Sequence, residues 1–390
     1  MNLLPKASGT RPRVACEIMP QGVVAARSAD AASPLAATAK VSLAEGALAP
    51  GLKVGNVVDR VAVAAAVRGA LEQIGERSNA RGSDISLVIP DSAVRVLLLD
   101  FESLPSRLTE ALPLVRFRLK KLLPFDADEA MVTFQVMSTS KSVVRVLAVA
   151  IPRDVLKEYE TAVREAGFEP GAVLPSTLAC LAAVEDAEPE LLINANPIGV
   201  TAAIVRGGVL LLHRSVDLQQ HAAFTVAAVQ PVIPALPLVD VETTAGEWSA
   251  QQPVPEFGRN PYADRIAEEA AVQAAASFAN LPEPGIYVAP EPLSAVIKSE
   301  PIALAAEIAQ AVSVAAAYFE DTLAIAPTRV LSAGPMGADA LGQILSSSGV
   351  GEGDGLRVRE LVESAALLPD AVSAAAPRAW LSGVVGALRG

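Results

Sequence analysis

The chain has 390 residues, 52% of them hydrophobic but only 4% aromatic, and 43 acids against 31 bases leave a net charge of −12. That length suits two or three domains with a core built mainly from Ala, Val and Leu, and the acidity excludes a basic nucleic-acid face. Mean hydropathy is +0.40, but Glu307 and Glu320 cut one long apolar run and Pro231, Pro234 and Pro237 cut the other, so no membrane-spanning helix is expected.

No apolar leader follows the first basic residues, and two cysteines, Cys16 and Cys180, make no disulfide framework. A cytosolic chain with reduced thiols is the expectation. Residues 1–12 read as a tail. Three strands follow in "RVACEIMP", "GVVAARSA" and "AKVSLAEGAL". The spacing of Val57, Val61, Ala64, Val67 and Leu71 predicts a helix. "DISLVIP" and "SAVRVLLLDF" read as strands, and 104–124 as a helix interrupted by Pro113. "EAMVTFQVMST" and "SVVRVLAVAIP" form a hairpin, "RDVLKEYETAVREAGFEP" an amphipathic helix with a Gly stop, "GAVLP" a strand and "STLACLAAVE" a helix.

A second half opens after Pro189. "INANPIGVTAAIVRGGVLLLHRSV" (Ile193–Val216) reads as two strands joined at Arg206-Gly207-Gly208, the first carrying a polar break at Asn194-Ala195-Asn196-Pro197. Residues 219–262, with six prolines, read as a long loop or insertion. Helices are expected over 262–280 and 301–323, then a strand "TRVLSAG", a helix "GADALGQILSSS", a loop "GVGEGDG" and a terminal helix. The two halves answer one another as related α/β units.

Little in this chain points to catalysis. His213 and His221 are the only histidines, eight apart, and read as surface or strand-end residues rather than metal ligands. No phosphate-binding G-x-x-x-x-G-K-[ST] occurs, and Cys16 reads as a small core residue. Arg116, Arg118, Lys120 and Lys121 form the one basic cluster. It reads as a solvated helix face, with contact to anionic lipid or an acidic partner as the alternative. Trp380 reads as core and Trp248 as a candidate anchor.

Several segments resemble the PilM family of type IV pilus assembly proteins, within the actin-like ATPases. The most specific is "KKLLPFDADEAMVTFQV" (Lys120–Val136), similar to the family's turn from helix to strand in its inserted 1C subdomain. "VLAVAIPRDVLKEYETAVREAGFEP" (Val146–Pro170), "IAQAVSVAAAYFEDTL", "PTRVLSAGPMGADALGQIL" and "AAPRAWLSGVVGALRG" resemble later family segments. The likeness covers roughly 13–218 and 300–390 and fails across 219–299. It implies an α/β, actin-like (ribonuclease H-like) two-domain fold. Domain I would be 13–190 with the 1C-type insertion at about 86–152, and domain II would be 191–390.

The resemblance also locates a nucleotide site, and there this chain departs from the family. At the first phosphate turn stand Glu17, Pro20, Gln21 and Gly22, and Pro20 removes a backbone N–H that a phosphate would use. At the second, Asn194 replaces an acid and Asn196 a glycine, with Thr201 retained. Asp217-Leu218-Gln219 replaces a glycine pair, and the adenosine motif keeps Gly334. The implied site is vestigial, with no cofactor expected and ATP with Mg²⁺ as the alternative. The family's partner, a PilN-like membrane protein, docks an N-L-L-P tail between subdomains 1A and 1C, and this chain itself begins Met1-Asn2-Leu3-Leu4-Pro5. The resemblance thus implies a scaffold at the inner membrane, with contact to the membrane indirect. Asn2–Pro5 would be a candidate for self-docking. The alternatives are a nucleotide-switched ATPase and a GspL-like component of a type II secretion platform.

Overall fold

The computed structural model describes residues 12–78, 84–184, 188–218, 300–350, 356–374 and 376–389. They belong to one compact unit, Met1–Ala227 with Ser299–Gly390; a second unit, Ala228–Lys298, lies outside the described residues. Also outside them are Asn2–Pro5, the 219–262 insertion, the helix expected over 262–280, His221, Trp248 and most of "GVGEGDG".

Two sheets repeat one plan. In the first, β1 (Val14–Met19), β2 (Gly22–Ser28) and β3 (Leu35–Ser42) form an antiparallel meander, and β4 (Asp84–Ile89) and β8 (Glu169–Pro175) extend it in parallel beyond β1. In the second, β9 (Glu190–Asn196), β10 (Gly199–Arg206) and β11 (Val209–Asp217) form the meander, and β12 (Arg329–Ala333) and β13 (Arg357–Glu360) extend it in parallel beyond β9. The polar break at Asn194–Pro197 is therefore the end of a separate strand, β9, and the start of its turn into β10, not the beginning of a single long strand. Asn196 Oδ1 accepts from Ile198 N at 2.9 Å and closes that turn.

The division at residue 190 does not hold for the end of the chain. β14 (Leu367–Ala374) pairs in parallel with β3 of the first sheet. β13 and β14 were not expected at all, since short segments such as "RVRE" carry no periodicity of their own.

Side-chain alternation separates the layers. On β1, Val14, Cys16 and Ile18 face α1 (Arg60–Gln73) and α3 (Arg153–Glu165), while Ala15 and Met19 face the opposite side. On β9, Leu191 and Ile193 face α5 (Glu300–Leu323) and α6 (Gly337–Ser347), while Leu192 faces the same central layer as Ala15. That layer holds α4 (Ser176–Leu181) and the terminal helix α7 (Ser382–Arg389). The approach of α7 is close: a Cβ on Gly386 would lie 1.8 Å from the Ala179 carbonyl oxygen.

Four local expectations shift. α1 starts at Arg60, because Asp59 Oδ1 caps it by accepting from Ala62 N at 2.9 Å. Val57 then precedes the helix and Val61 faces out, so the buried face is Val63, Ala64, Ala66, Val67, Ala70 and Leu71. The inserted unit begins at Arg95 rather than 86, because Ser86–Ile89 are committed to the main sheet beside β1 and β8. It comprises β5 (Arg95–Phe101), β6 (Ala130–Thr139), β7 (Val144–Pro152) and α2 (Leu108–Leu119). Finally, α2 runs through Pro113 unbroken. The missing N–H is on the exposed side, and Ala111, Val115 and Leu119 hold the helix to its sheet.

Gly386→Ala is expected to lower stability by about 1–3 kcal/mol, as overpacking does, seen as an earlier urea midpoint. Phe125 is half-buried, so Phe125→Ala is expected to cost about 1–2 kcal/mol. Leu119→Ala, at a fully buried position, is expected to cost about 2–5 kcal/mol. The reverse order would contradict this packing.

Candidate functional site

Alternation places Glu17 and Asn194 in the same central layer. Each is an inward-facing position on the first strand of its meander, and each is almost wholly buried. Between them stands the start of α4. Ser176 Oγ donates to Glu17 Oε1 at 2.6 Å and accepts from Asn194 Nδ2 at 3.0 Å. Thr177 Oγ1 donates to Asp91 Oδ2 at 2.5 Å and accepts from Asn194 Nδ2 at 3.0 Å. Thr177 N also donates to Asp91 Oδ1 at 3.0 Å. The two N–H groups of one amide thus feed two hydroxyls, and each hydroxyl feeds one carboxylate. An aspartate at 194 would have no proton to give to hydroxyls whose own protons are committed.

Two glycines complete the joint. Gly334, at φ +82°, lies against Asn194, where a Cβ would come within 2.4 Å of Oδ1. Gly383, in the first turn of α7, lets that helix end meet Glu17: a Cβ there would lie 2.3 Å from Oε2. Burial pushes the Glu17 carboxyl up to about 7, and the Asp91 charge adds to the rise. Hydrogen bonds from Ser176 and the Gly383 backbone oppose it without prevailing.

The residues assigned to the vestigial nucleotide site do not all converge. Glu17, Asn194 and Gly334 do. Gln21 and Gly22 lie in the β1–β2 turn, where Gly22 permits close cross-strand contact with the Val41 carbonyl. Asn196 is spent on its own turn. Thr201 sits opposite Asn194 and shares a 2.7 Å hydrogen bond with Ser215. As a Mg²⁺–phosphate site this donor set does not fit. The Glu17 carboxyl is drawn toward its neutral form and is already held by Ser176, and Asn194 offers only an uncharged amide oxygen, which lies against Gly334.

Sequence reasoning missed Asp91, Ser176, Thr177 and Gly383. A signal existed in "PST" at 175–177, a proline followed by two hydroxyl residues opening a helix. His213 is not at a strand end. It lies mid-β11, half-buried, with Nε2 enclosed and without a hydrogen-bond partner among the described residues. Burial lowers its basicity, partly offset by Asp91. Both cysteines are buried, and burial raises the pKa of each thiol.

The basic cluster also divides. Arg116 turns inward and donates to the carbonyls of Ala127 and Ala130, so it is no part of a solvated face. Lys120 pairs with Asp128 at 2.6 Å. Only Arg118 and Lys121 project into solvent with no ion-pair partner among the described residues. Trp380 is half-buried, with Lys40 Nζ 3.5 Å from its ring centre.

The folded protein holds the Glu17 proton to about pH 7, whereas the unfolded chain releases it near 4.5. Folding between those values takes up a proton, so this group makes stability fall as pH rises from about 4.5 to about 7 and then level off. His213 acts oppositely, removing stability as pH falls through its depressed range. Comparison with Glu17→Gln isolates the acid. Urea melts from pH 5 to 8 are expected to show the wild type losing stability relative to that variant. Parallel curves would contradict the assignment.

No family model matches the chain, and no curated protein matches it. Among solved structures, a chain of the PilM–PilN type IV pilus biogenesis complex superposes with a TM-score of 0.63 at 15% identity, covering 98% of this chain and 99% of that one. EutJ, an ethanolamine utilization protein from Carboxydothermus hydrogenoformans, gives 0.40 at 12% identity over 98% and 92% of the two chains. The cytoplasmic domain of EpsL, an inner-membrane component of the Vibrio cholerae type II secretion system, gives 0.35 at 13% over 66% and 94%. The chain thus has the actin-like ATPase fold, in the form seen in the PilM–PilN complex.

Proposed function

We propose that this protein is an assembly component of a type IV pilus platform at the inner membrane, docking the cytoplasmic tail of a PilN-like membrane protein. The observation that supports it is the end-to-end match, over 98% of this chain, to a chain of a pilus biogenesis complex. No described helix is long and apolar enough to cross a membrane, so attachment through a partner's tail suits the chain.

A cleft of about 560 Å³ offers a place for that tail. One lip is the loop Ala49–Val54, the other Arg95, Pro124 and Phe125 of the inserted unit, with Ile198 and Asp217 behind. The loop is held firmly. Asn56 Oδ1 accepts from Gly51 N at 2.8 Å and from the Tyr159 hydroxyl at 3.0 Å, and the Glu158 carboxylate accepts from Gly55 N and Val57 N. A preformed cleft with apolar lips and a charge of each sign suits an extended peptide of N-L-L-P type, whose proline lowers its ordering cost. The chain's own Asn2–Pro5 would compete for the same place at high effective concentration, or bridge to a second copy.

On this reading the protein works as a scaffold rather than an ATPase, because Glu17, Ser176 and Asn194 are hydrogen-bonded to one another where the family resemblance puts the phosphate turns. Purified protein with Mg²⁺ and ATP is expected to show no turnover above background. Turnover that Asn194→Ala abolishes would overturn the scaffold reading.

Docking is tested with a fluorescent N-L-L-P tail peptide titrated into the full chain, into a chain lacking residues 1–8, and into Phe125→Ala. The shortened chain is expected to bind more tightly, and Phe125→Ala to lose about tenfold, a little over 1 kcal/mol. Equal affinity with and without residues 1–8 would reject self-docking. Absence of binding to all three would reject the docking reading.

A further inference from the structure

The outer face of α2 does not look like the face of a solvated surface helix. Ala111, Val115 and Leu119 bury one side against the inserted sheet. The solvent-facing side should then be polar. Instead it carries Leu114, 45% exposed, and Phe117, 66% exposed. Arg118 follows at the same helical spacing, and Lys121 stands in the turn just past the helix end. Lys121 Nζ lies 6.0 Å from the Phe117 ring centre. The turn beyond adds Leu122, 51% exposed.

We infer that this stripe is a direct contact with an anionic lipid surface. The chemistry is that of an interfacial helix: an aromatic and a leucine reach the headgroup boundary while long basic side chains meet phosphates. Charge selects the orientation. The chain carries a net charge of −12 and would be repelled by an anionic bilayer over most of its surface. Here, however, the two bases without ion-pair partners lie beside two exposed apolar residues. Shape selects the membrane over an acidic protein. The stripe is a convex ridge on a single helix, which a bilayer accepts anywhere and a protein accepts only with a matching groove. Two bases, each contributing about fivefold to partitioning, and two apolar side chains give weak, reversible contact. Such contact becomes lasting when another tether raises the local concentration. The inference stands on the stripe itself, not on the pilus reading.

The test is flotation of the full chain with phosphatidylcholine vesicles and with vesicles also containing phosphatidylglycerol. Binding is expected to the anionic vesicles alone, and to weaken at high salt as screening shortens. Arg118→Glu with Lys121→Glu is expected to reduce it by more than about 25-fold, from the loss of two fivefold contributions. Phe117→Ser is expected to reduce it with the charges intact. Because Cys16 and Cys180 are buried, Phe117→Cys can be labelled selectively with a polarity-sensitive dye. A blue shift on anionic vesicles is expected, and it reports the contact even where a charge variant folds poorly. No binding to anionic vesicles, or binding without a dye shift, would overturn the inference. So would binding to a polyglutamate peptide with the vesicles ignored, which would assign the stripe to an acidic protein.

Discussion

The centre of the molecule depends on the Asn194 amide having two protons to give. Glu17 and Asp91 each accept from a hydroxyl, of Ser176 and of Thr177, and those hydroxyls, their protons given to acids, keep buried lone pairs that only a donor such as the Asn194 amide satisfies. A carboxylate at 194 would reverse the polarity of both chains of hydrogen bonds and bring a third acid into a layer that already holds Glu17 near neutrality. The amide thus couples β1, β9, the start of α4 and the 3-10 turn at Asp91–Ala93 into one satisfied network.

The rest of the architecture supports that joint from outside. α7 closes on it because Gly383 and Gly386 have no side chains to hold the helix away from Glu17 and Ala179. β14 leads into α7 by returning to the first sheet, so the end of the chain fastens both halves. A second buried link, the bidentate pair of Arg329 with the enclosed Glu190, ties β12 to the start of β9. Rigidity at the centre suits a protein whose proposed work is to present surfaces: the cleft beside the Ala49–Val54 loop and the exposed ridge of α2. Both involve the inserted unit, whose three strands form a sheet separate from the two main sheets.

How much could be read in advance varies with the range of the interaction. The first meander, the β10–β11 hairpin, α3 and α5 were legible because period-2 and period-3.6 patterns are local. Segments such as "LPFDADEAMVTFQV" carried the likeness to the pilus family, which the superposition supports at the level of fold. Other features were not legible. Asp91, Ser176 and Thr177 lie up to 103 residues from the amide they serve, and nothing near them in the chain marks them as partners. β13 and β14 are strands only because neighbouring edges accept them. His213 and Arg116 were read as surface residues, since a lone polar residue in a strand or helix gives no sign of which face it takes.

What the sequence determined by itself is therefore most of the elements and the acidic surface, which follow from composition and local periodicity. That Pro20, Asn194 and Asn196 stand in place of phosphate-binding residues is what the family resemblance implies. Only the tertiary structure decided what the replacements do. It made Asn194 a donor of two hydrogen bonds, turned Arg116 inward, and left Arg118 and Lys121 beside an exposed Phe117. Each outcome is set by which groups meet across long stretches of chain, and burial and hydrogen-bond direction are properties of those meetings rather than of any single residue.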